Sequence, residues 1–152
     1  MKFLLSILLL MITFWGCAQK NAFERFHISE SQELAEDNIQ SSKVIDEKNE
    51  VVGIITAIYL NKIDPKIYND YEYFYVYLYA KNKKDTINFS LNGMPALLAE
   101  ELSAQNEFTA LTSFNSKWNK YYLVGFAKQQ GTLNLKVQIG KSSAALVFKQ
   151  DR

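Results

Sequence analysis

The chain predicts an all-β fold, an antiparallel sandwich of two sheets with about seven strands. Three observations carry that prediction. The stretch from Tyr71 to Ala80 sets five tyrosines at alternate positions, with Phe74, Val76, Leu78 and Ala80 between them. Successive side chains of a strand point to opposite faces, so this stretch has a tyrosine face and an apolar face. Thr132 to Ile139 likewise puts Leu133, Leu135, Val137 and Ile139 on one face and polar residues on the other. Turn-forming residues then punctuate the second half of the chain, at Asn92-Gly93, Gln129-Gln130-Gly131 and Gly140-Lys141-Ser142.

In chain order, Met1-Lys2 is a minimal basic start, Phe3 to Phe14 is an apolar run, and Gly16-Cys17 follows. This is the layout of a secretory signal, residues 1–16, and the run is short of the ~20 apolar residues of a membrane span. Phe14-Trp15-Gly16-Cys17 resembles the lipobox of bacterial lipoproteins, with the small residue directly before the cysteine. Phe14 and Trp15 depart from that family's preference for leucine and then a small residue. The resemblance implies a diacylglyceryl group on the Cys17 thiol, cleavage before Cys17 and acylation of the new amino terminus. Ala18, following the cysteine, resembles the family's outer-membrane sorting signal. The alternative is ordinary cleavage after Ala18, since Gly16 and Ala18 also meet the small-x-small rule.

Cys17 is the single cysteine, so no disulfide forms within the chain and stability must come from the core. The sequence carries 17 Lys+Arg against 16 Asp+Glu, and loss of Lys2 with the signal makes the balance even. Such a balance gives no reason to expect a nucleic-acid partner.

Ser29 and Gln32 match a capping box for a helix running to about Gln40, with a disordered spacer as the alternative. Residues 41–49 read as a linker with a short strand at Lys43 to Ile45. Residues 17–49 are thus expected to form a lipidated tether and residues 50–152 the sandwich. Val51 to Leu60 is apolar and β-branched on both faces, the pattern of an interior strand or of one covered by the N-terminal segment. Asn61 to Asp70 is a long loop with turn chemistry at Asp64-Pro65 and Asn69-Asp70.

The alternation in Thr86 to Leu91 predicts a hairpin with the tyrosine strand, Tyr79 opposite Thr86, Tyr77 opposite Asn88 and Tyr75 opposite Ser90. Pro95 opens a predicted short crossover helix through Leu102. Phe108 to Phe114 reads as a strand, and Tyr121 to Ala127, Thr132 to Ile139 and Ala144 to Lys149 as a meander. The spacing suits a sandwich of immunoglobulin-like or transthyretin-like type, with a small β-barrel as the alternative.

Few residues suit chemistry. His27 is the sole histidine and lies in the tether, which leaves a Ser-His-Asp or Cys-His hydrolase without its base, so no catalytic residue is assigned. Zinc or copper ligand sets are absent, and Asp64, Asn69, Asp70 and Glu72 follow no known calcium-loop spacing, so no metal or other cofactor is expected. Glu100-Glu101 is the carboxylate pair on which a small-hydrolase reading would rest.

The candidate binding face is the row Tyr71, Tyr73, Tyr75, Tyr77 and Tyr79, which spans ~26 Å at the usual strand rise. Tyrosine offers flat apolar area and a hydroxyl at little entropic cost, and an open row would grip a protein or a glycan chain. A row covered by the N-terminal segment would be core instead. Trp118 either plugs an end of the sandwich or stands as an exposed loop contact. The expectation is a lipid-anchored envelope protein, at the outer membrane, serving as a non-catalytic binding or accessory domain. A glycan-binding module and a small hydrolase are the alternatives.

Overall fold

The computed structural model describes residues 33–112 and 115–150. The signal segment, Cys17 and His27 lie outside them. Among the described residues, nine strands form two antiparallel sheets: β1 (Ile39–Ile45), β2 (Val51–Tyr59), β3 (Glu72–Ala80), β4 (Ile87–Leu91), β5 (Met94–Pro95), β6 (Leu98–Leu102), β7 (Lys120–Phe126), β8 (Thr132–Ile139) and β9 (Ser142–Lys149). The first sheet has the order β1-β2-β3-β7-β6 and the second β5-β4-β8-β9. The expected two-sheet sandwich is what forms. Its strand order differs from that of an immunoglobulin constant domain: β1, β2 and β3 are neighbours in one sheet, whereas the second and third strands of that domain lie in different sheets.

Between the sheets lies the main core. Ile55 and Ala57 of β2, Phe74, Val76 and Leu78 of β3, and Val124 and Phe126 of β7 meet Leu91, Leu133, Leu135, Val137 and Phe148 of the second sheet. Full burial of each large side chain contributes about 1.5–3 kcal/mol before entropy is charged. A second core covers the outer face of the first sheet. There Ile58, Leu60, Tyr75 and Tyr121 pack with Ala35 and Phe108. This explains why β2 is apolar on both faces: Ile55, Ala57 and Tyr59 face the main core and Ile58 the outer core. The double-sided burial read from Val51 to Leu60 is found, and the N-terminal segment supplies part of the cover.

Several expected elements take other forms. Among the described residues α-helix spans 33–37, the expected capping residues Ser29 and Gln32 lying outside them, and Asn38 follows it, donating from Nδ2 to the Leu34 carbonyl at 2.8 Å. β1 then begins at Ile39, so the sandwich includes most of what was expected to be a linker before residue 50. Its few apolar residues make it hard to read from side chains. Backbone pairing with β2 defines it, together with a 2.9 Å hydrogen bond between the Ser41 and Thr56 hydroxyls.

The hairpin between the tyrosine strand and Thr86 to Leu91 does not form. Tyr79 pairs with Ile54, Tyr75 lies between Ile58 and Leu123, and β4 belongs to the other sheet. Phe89 and Leu91 do share the apolar core with Phe74 and Val76, but across the sandwich rather than beside them. Alternation states which face is buried; it does not state which strand is the neighbour. Residues 81–86 are long enough to cross the ~10 Å between stacked sheets.

The predicted crossover helix is extended. β5 ends at Pro95, Ala96 N–H bonds the Phe89 carbonyl at 3.2 Å, Leu97 N–H bonds the Gly125 carbonyl at 2.9 Å, and β6 pairs along β7. The chain does cross from sheet to sheet here. An unpaired β7 edge takes up residues 98–102 as a strand because their backbone groups need partners.

The strand expected from Phe108 is a 3₁₀ turn over Glu107–Leu111, started by Asn106, whose Oδ1 accepts from Phe108 N–H at 3.0 Å. Ser113 and Phe114 lie outside the described residues. In the final part, β8 and β9 form the expected hairpin through Gly140, whose φ of 59° suits a tight turn. β7 belongs to the first sheet, so residues 127–131 are a crossing rather than a meander turn.

Candidate functional site

The five tyrosines do not make one open face. Tyr75 is fully buried, Tyr73 and Tyr77 are half-buried, and Tyr71 and Tyr79 are 38% and 41% exposed at the two ends of β3. The cause is the 3₁₀ turn over residues 107–111. It lays Phe108 on Tyr75 with ring centroids 4.9 Å apart, and Tyr121 stacks on Tyr75 at 6.3 Å. Burial pushes the Tyr75 hydroxyl up to about 12 from its ordinary 10.0. The middle of the row is therefore structural.

Trp118 does not plug the sandwich. It stands 59% exposed in the turn before β7, with the Lys83 ammonium 4.9 Å and the Lys117 ammonium 5.7 Å from its ring centroid. Those are cation–π distances.

Asp64, Asn69, Asp70 and Glu72 do not converge. Asp64 Oδ1 accepts from the N–H groups of Lys66 and Ile67, both at 3.2 Å, and Asn69 Nδ2 donates to the Lys66 carbonyl at 2.9 Å. These bonds shape the loop. Glu72 instead turns inward, only 1% exposed. Among the described residues no three His, Cys, Asp or Glu side chains are grouped closely enough to hold a metal ion. Glu100 and Glu101 are adjacent on β6 and so face opposite sides of it. Glu101 accepts from the Tyr122 hydroxyl at 3.2 Å; burial and that carboxylate push Tyr122 up to about 12.

What the fold does assemble is a cleft of about 620 Å³ at the end of the sandwich opposite Trp118. The β2–β3 connection supplies Asn61, Lys62, Pro65, Tyr68 and Asn69, the β7–β8 crossing supplies Lys128, Gln130 and Gly131, and Tyr59 and Gln150 close it. Its size is that of ordinary small-molecule and cofactor sites.

A buried carboxylate holds this lining in place. Tyr59 donates to Glu72 Oε2 at 2.5 Å, Gln129 N–H and Gln150 Nε2 each donate to Oε1 at 3.2 Å, and the Lys128 ammonium lies 3.8 Å from Oε1. Burial first, and the Glu72 bond second, hold the Tyr59 hydroxyl well above the ordinary tyrosine value. Tyr68 is raised too, by burial and then by Glu107 and Asp64. Both rings thus stay neutral. Asn61 fixes the near wall, donating to the Tyr71 carbonyl at 2.6 Å and accepting from Tyr73 N–H at 2.7 Å. Gln150 spends its N–H₂ on Tyr59 and Glu72, which leaves its amide oxygen as the end it offers a ligand.

Chemically the lining offers phenol rings, amides that both donate and accept, and two lysines. The Asn61 to Asp70 loop and the turn at Gln130-Gly131 were conspicuous in the sequence, but nothing there marked Tyr59, Gln130 and Gln150 as parts of one site. Only the sheet order brings residues from positions 59, 130 and 150 to one end. Comparisons of the chain with protein-family models, with curated proteins and with solved structures find no match.

Proposed function

We propose that this protein is a non-catalytic binding domain of the cell envelope, tethered through lipid on Cys17, and that its cleft takes a glycan chain. The observation that carries this reading is the cleft's lining. Tyr59 and Tyr68 provide ring surface for the apolar face of a sugar, while Asn69, Gln130 and Gln150 provide amides for its hydroxyls. The buried Glu72 network fixes Tyr59 and Gln150 before any ligand arrives, which lowers the ordering cost of binding. The glycan role that was an alternative for the tyrosine row passes to this cleft, because Tyr75 lies beneath Phe108.

Calorimetry with oligosaccharides prepared from peptidoglycan and from lipopolysaccharide tests the reading. Saturable binding that weakens at least about tenfold in Tyr68→Ala and in Gln130→Ala supports it, a loss of the size expected of an interface hot spot. If neither preparation binds, the cleft is not a glycan site. Fractionation of Cys17→Ser at high salt, where electrostatic attraction to lipid is screened, tests the tether separately: the variant is expected to leave the membrane fraction.

A further inference from the structure

The charge balance of the whole chain conceals a segregation that the fold creates. β1, β3, β7 and β9 bring segments 43–50, 81–86, 115–120 and 140–141 to one end of the sandwich. Those segments carry eight lysines against four carboxylates, and the rest of the described chain carries five lysines against nine. Three of the four carboxylates already have local partners. Glu50 is paired with Lys81 at 3.0 Å, Asp46 accepts from the N–H groups of its own turn, and Asp85 accepts from Asn82 Nδ2 at 2.7 Å.

Trp118 protrudes at this basic end, beneath Lys83 and Lys117. Beside it, the cross-strand row Lys43, Ile54 and Tyr79 is exposed on the outer face of the first sheet. It continues the face whose middle Phe108 covers. An indole flanked by apolar side chains and ringed by ammonium groups matches the boundary of a bilayer, where tryptophan sits at headgroup level and lysines meet anionic phosphates.

We infer that the Trp118 end docks on an anionic phospholipid surface, with Trp118, Tyr79 and Ile54 at headgroup depth and Lys83 and Lys117 on lipid phosphates. Charge complementarity selects the partner, since each lysine near such a surface strengthens attraction while a neutral bilayer offers it nothing. Chain length permits the contact. Residues 18–32 reach ~50 Å when extended, and a nine-residue strand is ~30 Å long, so Cys17 and the Trp118 end can share one membrane. Docking this way would turn the cleft at the opposite end outward from the bilayer. The inference does not rest on what that cleft binds.

A chain starting at Ala18 retains every residue of both cores, lacks the lipid site, and has Trp118 as its only tryptophan. Mixed with vesicles of two parts phosphatidylcholine to one part phosphatidylglycerol, it is expected to co-sediment at low salt, with a blue-shifted tryptophan emission. It should be released as salt is raised. Vesicles of phosphatidylcholine alone should not retain it. Trp118→Ala, followed by sedimentation, and Lys83→Glu with Lys117→Glu should each weaken binding about tenfold or more while leaving circular dichroism unchanged. Absence of vesicle binding at low salt, equal binding to neutral vesicles, or binding untouched by these substitutions would each overturn the inference. A blue shift with soluble polyglutamate but none with vesicles would assign the surface to an acidic protein instead, and would overturn it too.

Discussion

The Tyr59 hydroxyl donates to the carboxylate of Glu72 across a distance of 2.5 Å, at a point where Glu72 has almost no contact with solvent. The bond joins the end of β2 to the start of β3. Through the other oxygen of Glu72 it also holds the β7–β8 crossing and the residue after β9. A carboxylate is tolerated in this setting because both oxygens have donors. The same bonds shape one side of the cleft, so stability and binding geometry are linked there.

Tyr59→Phe removes one donor and leaves Glu72 Oε2 buried with that bond unmade. The expected cost is about 2 kcal/mol. Glu72→Ala, which strands the tyrosine hydroxyl and two N–H donors together, should cost more, about 3 kcal/mol or above. Urea midpoints measure both. Values near those of surface substitutions would mean that solvent serves the site.

The tyrosine row should divide sharply. Tyr75→Ala opens a cavity between Phe108 and Tyr121 and is expected to cost about 3–5 kcal/mol. Tyr79→Ala, at an exposed position, should stay within about 0.5 kcal/mol. Equal costs at the two positions would contradict the cover laid down by the 107–111 turn.

Gly53 is required by close approach. A Cβ there would sit 2.6 Å from Ile139 Cδ1 and 2.9 Å from the Tyr79 carbonyl oxygen. The side chain can move, but the Tyr79 backbone cannot without disturbing the β2–β3 ladder. Gly53→Ala is therefore expected to lose about 1–3 kcal/mol, read from the thermal or urea midpoint.

Alkaline pH should weaken the fold over a defined window. Tyr75 and Tyr122 titrate at about 12 in the folded chain against 10.0 ordinarily. Below pH 10 their contribution is fully present. Between 10 and 12 the unfolded chain gives up protons that the folded chain retains, so stability falls by about 1.4 kcal/mol per pH unit for each tyrosine. The urea midpoint should be level up to pH 10 and then decline, and Tyr75→Phe should make the decline shallower. An unchanged slope in that variant would mean that Tyr75 is not among the groups responsible.

The sequence by itself determined the fold class and the inward face of most strands. It did so because burial acts on each residue through its nearest neighbours in the chain: Phe74, Val76 and Leu78, or Leu133, Leu135 and Val137, must share a face whatever lies opposite. The two-sided burial of β2 was legible for the same reason. Tertiary structure alone decided which strands became neighbours. β3 took β2 and β7 rather than β4, and residues 98–102 became a strand because β7 had an edge to fill. Backbone hydrogen bonds carry no side-chain signature, so local alternation cannot rank one partner over another. The same holds for the cleft and for the basic end around Trp118. Both depend on which loops the sheet order gathers, and a chain with balanced composition acquires a charged end only when folding sorts its lysines from its carboxylates.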